Sequence, residues 1–313
     1  MKRELLAKIE GGLWGLLVGD AVGVPYEFHS SRELPPREQI DMFPPPGFSR
    51  SYAHVPCGTW SDDGAQALCL TESLVERREW DPYDFARKLL AWASRGYLAA
   101  DGKVFDIGIQ TGEALRRLSA GATPYESGLA GERNNGNGGL MRSLPLALLL
   151  EGSDARLVAV AHEQCAITHA HPRSQVCCAL YCLWARRELE GVEIAWDQAA
   201  ADLDTLYGNS PVHRRELREV VLPAAAEKPC GTGYVVDSLY SARAACEEHS
   251  YRNVVIAAVA LGNDTDTTAC LAGGIAGIRF GRTGIPAEWR EGLRGRHILD
   301  EVLVRLRKLP TFA

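Results

Sequence analysis

Apolar residues recur three and four positions apart along almost the whole chain, which is the spacing of one face of an α-helix. This period predicts helices over 3–19, 64–78, 83–95, 107–120, 139–151, 154–166, 173–189, 196–207, 235–248, 251–261, 265–280 and 297–308. Strand signals are weak, because the run Val220-Val221-Leu222 continues a charged helical pattern and no strand–helix–strand alternation is present. The sequence therefore predicts an all-α fold, with functional residues in the loops.

Two loops interrupt the helical pattern, a proline-rich one at 34–56 and a glycine- and asparagine-rich one at about 121–137. Neither is long enough, or simple enough in composition, to be a domain linker. No internal repeat of fixed period is present. We therefore predict that residues 1–313 form one domain.

Charge and cysteine usage exclude several classes of protein. The 313 residues carry a formal net charge of −6, which is not typical of a surface that binds nucleic acid or an anionic membrane. The nine cysteines are odd in number and lack Cys-x-x-Cys spacing, a pattern that favours small buried side chains in a reducing compartment. The first 20 residues resemble an amphipathic helix more than a secretion signal. The sequence contains no uninterrupted run of about 18 apolar residues, so we expect no membrane span. We expect a cytoplasmic monomer without a membrane or nucleic-acid partner.

Acidic clusters precede two of the predicted helices. Ser61, Asp62 and Asp63 stand before one, and Asp264 and Asp266 stand before the other, interleaved with Thr265, Thr267 and Thr268. Helix capping is one interpretation, because Asp, Ser and Thr are the preferred residues at a helix N-terminus. A cap needs only one acceptor, however, and four carboxylates that share a small space repel each other unless a cation lies among them.

Oxygen ligands of this kind suit Mg²⁺, Mn²⁺ or Ca²⁺. Small residues follow both clusters, among them Gly64 and Ala65 in the first and Gly273 and Gly277 in the second. We therefore predict that the helices starting near 64 and 265 approach each other closely, with metal between their acids.

Seven segments resemble, in order along the chain, the motifs of the ADP-ribosylhydrolases of the dinitrogenase reductase-activating glycohydrolase type. That family also contains the eukaryotic ADP-ribosylarginine and ADP-ribosylserine hydrolases. The segments are GGLWGLLVGDAVGVPYEF (11–28), TWSDDGAQALCL (59–70), DGKVFDIGIQTGEAL (101–115), NNGNGGLMRSLPLAL (134–148), ITHAHPRS (167–174), GTGYVVDSLYSA (231–242) and GNDTDTTACLAGGIAGIRFG (262–281). The resemblance implies a single compact orthogonal multi-helix domain. One departure is Gly64, where the family usually has Thr, and we expect it to loosen the start of that helix.

The resemblance also implies a metal-dependent hydrolase that removes ADP-ribose from a modified protein, with two divalent cations, Mg²⁺ or Mn²⁺, beneath the distal ribose. The implied ligands are Ser61, Asp62, Asp63, Asp264, Asp266 and Thr267. Asp62 is the candidate for handling the proton of the attacking water. Glu27 is a candidate for contact with the ribose or the leaving group, the alternative being an exposed acid on a loop.

The remaining site residues would bind the substrate. Backbone N–H groups of a glycine-rich turn that enters a helix can hold a diphosphate, and the resemblance assigns that role to Asn137, Gly138, Gly139 and Met141. Arg142 would pair with phosphate or be structural. His169 would hydrogen-bond near the ADP-ribose, and His171-Pro172 would start a helix. Tyr234 would stack on adenine, with ordinary core packing as the alternative.

Asp106 carries the prediction of linkage, because the resemblance puts an acid close to the bond to be cleaved. A carboxylate matches the planar cationic guanidinium of ADP-ribosyl-arginine better than a serine ether. Capping of a helix that begins near Ile107 is the alternative for this residue. Other linkages (serine, nucleobase, O-acetyl ester) and a catalytically silent, crystallin-like relative remain open, although all four motif aspartates are intact.

Overall fold

The computed structural model describes residues 2–312, and its regular structure is helical throughout that range. Its α-helices are α1 (Lys2–Gly23), α2 (Asp62–Arg77), α3 (Pro82–Arg95), α4 (Ile109–Ser119), α5 (Leu144–Leu149), α6 (Asp154–Ala166), α7 (Pro172–Glu190), α8 (Ala195–Leu206), α9 (Pro211–Glu216), α10 (Val235–Ala245), α11 (Tyr251–Val259), α12 (Thr265–Gly284), α13 (Ala287–Gly292) and α14 (Arg296–Leu306). Within residues 2–312 extended pairing is limited to isolated bridges, as at Ser30 and Gly262. The all-α prediction is confirmed.

Each of the twelve ranges predicted from periodicity contains a helix, and two short helices were missed. These are α9 and α13, which have six residues each and are too short to show a period. The boundaries of one range are corrected. Residues 139–143 form turns, and the helix predicted from 139 begins only at Leu144. The run Val220-Val221-Leu222 is helical as predicted, since Leu217–Val221 is a π-helical turn.

The centre of the fold is the pair α1 and α12, which pack backbone against backbone. A Cβ atom built on Gly11, Gly15 or Gly19 would lie 2.1–2.2 Å from a carbonyl oxygen of α12. Only glycine permits this approach. The prediction that the small residues of α12 bring it close to α2 is therefore corrected, because α1 is the neighbour that they accommodate.

Most cysteines are buried and all nine are free thiols, as expected. Two depart from that expectation, since Cys57 is half-buried and Cys230 is exposed. Among the described residues, none of the helices combines the length and the apolar character that a membrane crossing needs.

Candidate active site

A cavity of about 260 Å³ opens where α1 ends and where α2 and α12 begin. Its lining residues are Glu27, Asp62, Asp63, Asp106, Gly108, Ile109, Gln110, Thr111, Gly136, Asn137, Gly138, Met141, His169, Asp264 and Thr267. A larger cavity of about 750 Å³ lies elsewhere, between Leu5, Leu148 and Phe312, and none of the predicted site residues lines it. Convergent polar groups mark the smaller cavity as the candidate site.

The start of α2 is held by an acid of α1. Ser61 is the N-cap residue, and its Oγ accepts a hydrogen bond from the Asp63 N–H at 3.3 Å. The Asp20 carboxylate accepts two further hydrogen bonds, one from the N–H of Ser61 at 2.9 Å and one from the N–H of Gly64 at 2.8 Å. Burial raises the pKa of Asp20 to about 7, although these hydrogen bonds act to lower it. Asp20 therefore fixes the loop that carries Asp62 and Asp63.

Sequence reasoning missed the role of Asp20, although a signal was present. An acid inside the apolar run Leu16–Val22 must be buried, and a buried carboxylate needs donors. The packing also gives a steric reason for glycine at position 64. A Cβ there would lie 2.6 Å from Leu17 Cδ2 and 2.9 Å from Asp20 Oδ2, so glycine makes room for α1 at this point.

The start of α12 is positioned by backbone pairing with the segment that follows α1. The N–H of Phe28 donates to the carbonyl of Asn263 at 2.7 Å, and the N–H of Asn263 donates to that of His29 at 2.6 Å. Both Phe28 and Asn263 have positive φ, 61° and 62°. This pairing brings Glu27 beside the acids of α12.

Asp264 stands at the N-cap position of α12 but its side chain makes no capping hydrogen bond. Its Oδ2 instead accepts from Asn137 Nδ2 at 2.7 Å, and the same amide donates to Ser238 Oγ at 3.0 Å. The capping interpretation therefore fails for this side chain. The hydrogen bond joins the glycine- and asparagine-rich loop to the acidic cluster.

Acids from three segments meet at the base of the cavity. Three carboxylate oxygens, one each from Glu27, Asp264 and Asp266, lie within 4.8 Å of one another. Across from them, Thr267 Oγ1 donates to Asp63 Oδ1 at 3.3 Å, so the two acidic helix starts are adjacent, as predicted. Glu27 is only 3% exposed, which rules out the exposed-loop alternative for it.

The acids lack enough donors for their ionised forms. Glu27 Oε2, Asp63 Oδ2 and both carboxylate oxygens of Asp266 are buried without a hydrogen-bond partner. Burial, followed by the charges of Asp106 and other acids, raises the pKa of Glu27 to about 10. Burial and neighbouring acids also raise the pKa values of Asp62, Asp63 and Asp266 well above the usual range.

These unpartnered oxygens fit a hard divalent cation, which would satisfy them and offset their mutual repulsion. Of the predicted ligands, Asp62, Asp63, Asp264 and Thr267 line the cavity and Asp266 lies beneath it. Ser61 lies at the start of α2, where its Oγ also serves as the helix cap. Glu27 belongs with them as a candidate ligand, although sequence reasoning assigned it to the substrate.

Asp106 faces the cavity from an extended segment before α4. Its φ is 53°, a strained backbone conformation for a residue other than glycine. The helix it was expected to cap begins only at Ile109, with Gly108 at the cap position, so the capping alternative is wrong. Burial raises the pKa of Asp106, and the side chain of Tyr52 lies close enough to lower it in part. Tyr52 was not identified from the sequence.

The predicted substrate-binding residues divide into two groups. Asn137, Gly138, Met141 and His169 line the cavity. A Cβ on Gly138 would lie 2.7 Å from His169 Cε1, so glycine leaves space for that ring. Gly139 is not among the lining residues, and a Cβ on it would lie 2.6 Å from Cys165 Sγ, so its role in binding the diphosphate stays a prediction.

Tyr234 lies outside the cavity lining and is 39% exposed, which argues against simple core packing. Its backbone bridges to Gly136, at the edge of the cavity. Its role in stacking on adenine stays a prediction. His171 is the N-cap residue of α7 and Pro172 its first residue, as expected.

Arg142 is fully buried, and its guanidinium donates to protein acceptors on Gln66, Gln164 and Thr168. Of the two alternatives for this residue, phosphate pairing or a structural role, the structural one agrees with this environment.

A family model for ADP-ribosylglycohydrolases matches residues 1–311 of the chain. The chain belongs to the ADP-ribosylglycohydrolase family. Membership places it among the hydrolases of ADP-ribose linkages and confirms the resemblance at the level of the family.

Individual members show how widely the similarity extends. The chain is 29% identical to the ADP-ribosylarginine hydrolase Tri1 of Serratia proteamaculans, over 93% of this chain and 76% of that protein. It is 27% identical to the ADP-ribosyl-[dinitrogen reductase] glycohydrolase of Rhodospirillum rubrum, over 89% and 87%. It also resembles a solved ADP-ribosylglycohydrolase-related protein complex, with a TM-score of 0.75, 29% identity, and coverage of 97% of this chain and 99% of that one.

Proposed function

We propose that this ADP-ribosylglycohydrolase cleaves the N-glycosidic bond between ADP-ribose and an arginine side chain, using two divalent cations, Mg²⁺ or Mn²⁺. The observation that carries the linkage is the position of Asp106, a carboxylate at the cavity wall that forms no ion pair with any residue in the range 2–312. Two relatives at 29% identity are named as ADP-ribosylarginine hydrolases, which agrees with it.

Recognition of the leaving group follows from charge and shape. A guanidinium is planar and permanently cationic, and it donates two parallel hydrogen bonds to one carboxylate. The side chain of Tyr52 lies beside Asp106. An uncharged serine ether would leave this acid without a counter-charge in a partly buried position, at a free-energy cost of about 1–3 kcal/mol.

The acidic cluster would hold the cations. Asp62, Asp63, Asp264, Asp266 and Thr267 are the proposed ligands, together with Ser61 and with Glu27 beside Asp264 and Asp266. When bound, divalent cations supply Lewis acidity and orient ribose hydroxyls. Asp62 accepts a hydrogen bond from Gln66 at Oδ2, and we assign its other oxygen, Oδ1, to accept the proton of the attacking water. Cleavage of a glycosidic bond develops positive charge on the ribose, and the surrounding carboxylates stabilise it.

The rest of the cavity would bind the ADP-ribose. Asn137 and Gly138 present a turn of successive N–H groups suited to the diphosphate, with His169 and Met141 beside them. The natural substrate would be an ADP-ribosylated protein. A monomer in the cytoplasm remains our expectation.

The test is a panel of ADP-ribose conjugates on arginine, serine, a nucleobase and acetate, each with Mg²⁺, with Mn²⁺ and with chelator. We expect release of ADP-ribose from the arginine conjugate at a rate at least about tenfold above the others, and only with metal. Preference for another conjugate would overturn the arginine assignment. A lack of turnover on all four, with ADP-ribose still bound, would indicate a catalytically silent relative.

A further inference from the structure

A chain of buried hydrogen bonds connects the acidic cluster to His169 through Arg142. The guanidinium donates from one terminal nitrogen to Gln66 Oε1 at 2.7 Å and from the other to Thr168 Oγ1 at 2.7 Å. Gln66 continues to Asp62, and Thr168 continues to His169. All five side chains are at most 5% exposed, so hydrogens that point into the protein need an acceptor there.

The Gln66 amide has one orientation that satisfies both neighbours. A guanidinium only donates hydrogen bonds, so the atom 2.7 Å from it must be the amide oxygen. The amide nitrogen then faces Asp62 and donates to Oδ2 at 2.9 Å. If the amide were reversed, N–H groups would face the guanidinium and an oxygen would face the carboxylate. Arg142 thereby makes Gln66 a donor to a predicted metal ligand.

The same reasoning fixes the protons of the second branch. Thr168 Oγ1 accepts from Arg142, and its single hydrogen needs an acceptor, for which His169 Nδ1 lies 2.8 Å away. Nδ1 must then be unprotonated, which leaves the proton of the neutral ring on Nε2. Burial, and secondly the charge of Arg142, lowers the pKa of His169 to about 3, so the ring is neutral near pH 7.

The protonated nitrogen faces the ligand side of the site. His169 lines the cavity, and a Cβ built on Gly136 would lie 3.4 Å from Nε2. A neutral ring with a fixed N–H presents a donor to an anionic or hydroxyl oxygen without adding a charge.

We infer that Arg142 is a positioning residue that sets two donors of the site at once, the Gln66 amide toward Asp62 and the Nε2–H of His169 toward bound ADP-ribose. The identity of the ligand rests on the proposed function, whereas the orientation of the amide and the tautomer do not. Arg142 itself touches neither ligand nor reacting atoms.

The tautomer is tested first, by long-range proton–nitrogen NMR of the full chain labelled with ¹⁵N-histidine, with Mg²⁺ present. The His169 signals among the eight histidines are identified by their loss in His169→Gln. We expect the Nε2–H form in the wild type and in Thr168→Ser, which keeps the hydroxyl. Thr168→Val, which has nearly the same shape but no hydroxyl, should give a mixture of tautomers. An Nδ1–H wild type, or an unchanged tautomer in Thr168→Val, overturns the inference.

Measurements of ADP-ribose and Mn²⁺ binding distinguish the Thr168 branch from the Gln66 branch and do not require turnover. Thr168→Val should weaken ADP-ribose binding about tenfold and leave Mn²⁺ affinity unchanged, whereas Gln66→Met should weaken Mn²⁺ binding and leave the His169 tautomer unchanged. Arg142→Met should change both. If Arg142→Met does not fold, the two single-branch variants decide the question. An effect on melting temperature alone, with tautomer and both affinities retained, shows a structural role only. A wild type that binds no ADP-ribose refutes the proposed function and leaves the tautomer test valid.

Discussion

Gly15 of α1 and Gly273 of α12 face each other so closely that a Cβ on Gly15 would lie 2.2 Å from the carbonyl oxygen of Gly273. It is one of several glycine contacts between α1 and α12. Together these contacts place the end of α1, with Asp20, against the start of α12, with Asp266. Glu27 follows a few residues after α1 and meets the same acids. The geometry of the acidic cluster therefore depends on two helix backbones in contact.

We expect Gly15→Ala to lower the free energy of unfolding by about 2–3 kcal/mol, because a backbone oxygen cannot move aside cheaply. Chemical denaturation measures the change. Gly208→Ala is the matched control, since nothing lies within 4 Å of a Cβ at that position, and it should change stability by less than about 0.5 kcal/mol. Equal stability of the two variants would contradict the backbone contact.

Asp106→Asn keeps the shape of the side chain and removes its charge. We expect the rate on the arginine conjugate to fall roughly ten- to a hundredfold, because a charge-assisted hydrogen bond is worth about 1.5–3 kcal/mol. Binding of free ADP-ribose, measured by calorimetry, should be retained. Glu113→Gln on α4, whose acid pairs with Arg116 and Arg117 instead, serves as the control. Unchanged arginine hydrolysis in Asp106→Asn would remove the basis for the linkage.

Asp266→Asn tests the cation site. Both oxygens of Asp266 are buried without partners, so we expect the variant to lose activity by about a thousandfold or more, since a bound cation stabilises developing charge by several kcal/mol. Thermal melting is the second measurement. Mg²⁺ or Mn²⁺ should raise the melting temperature of the wild type and have little effect on the variant. In chelator the variant should melt higher than the wild type, because burial and neighbouring acids raise the pKa of Asp266 and asparagine removes the cost of burying that carboxyl group. A metal-induced shift that is equal in both proteins would exclude Asp266 as a ligand.

The pH dependence of stability follows from the same acids. The pKa of Glu27 is raised from 4.5 to about 10 in the folded, metal-free protein, so the folded state binds more protons than the unfolded chain between those values. Its contribution to stability is complete below about pH 4.5 and is lost as the pH rises toward 10. We expect the melting temperature in chelator to fall as the pH rises from about 5 to 9. Excess Mg²⁺ should flatten the profile, and a rising profile in chelator would contradict the assignment.

The sequence predicted what local patterns determine. An amphipathic period is repeated over every turn of a long helix, which is why α3 and α7 were found nearly to the residue, whereas the six residues of α13 contain too few turns. The acids of the site were identified because each cluster is contiguous in the chain and matches a motif.

What could not be predicted depends on contacts between distant segments. Asp20 and Ser61 are 41 residues apart, and although the apolar run around Asp20 indicates a buried acid, nothing local indicates which N–H groups it accepts from. Tyr52 lies in a proline-rich loop without a motif, and its relation to Asp106 exists only in the folded chain. Gly139 directly follows Gly138 in the sequence, but Gly138 lines the cavity, whereas a Cβ on Gly139 would meet Cys165 in the core.

The pairing of α1 with α12 also bears on how the protein is made. Thr265, at the start of α12, donates to the Gly23 carbonyl at the end of α1 across 242 residues of chain. At a synthesis rate of about 5–20 residues per second, α1 leaves the ribosome roughly 10–50 s before its partner exists. During that interval its glycine-lined face lacks the helix that covers it in the folded protein. The acids of the site are separated for the same time, so the acidic cluster can form only after the start of α12 has been synthesised.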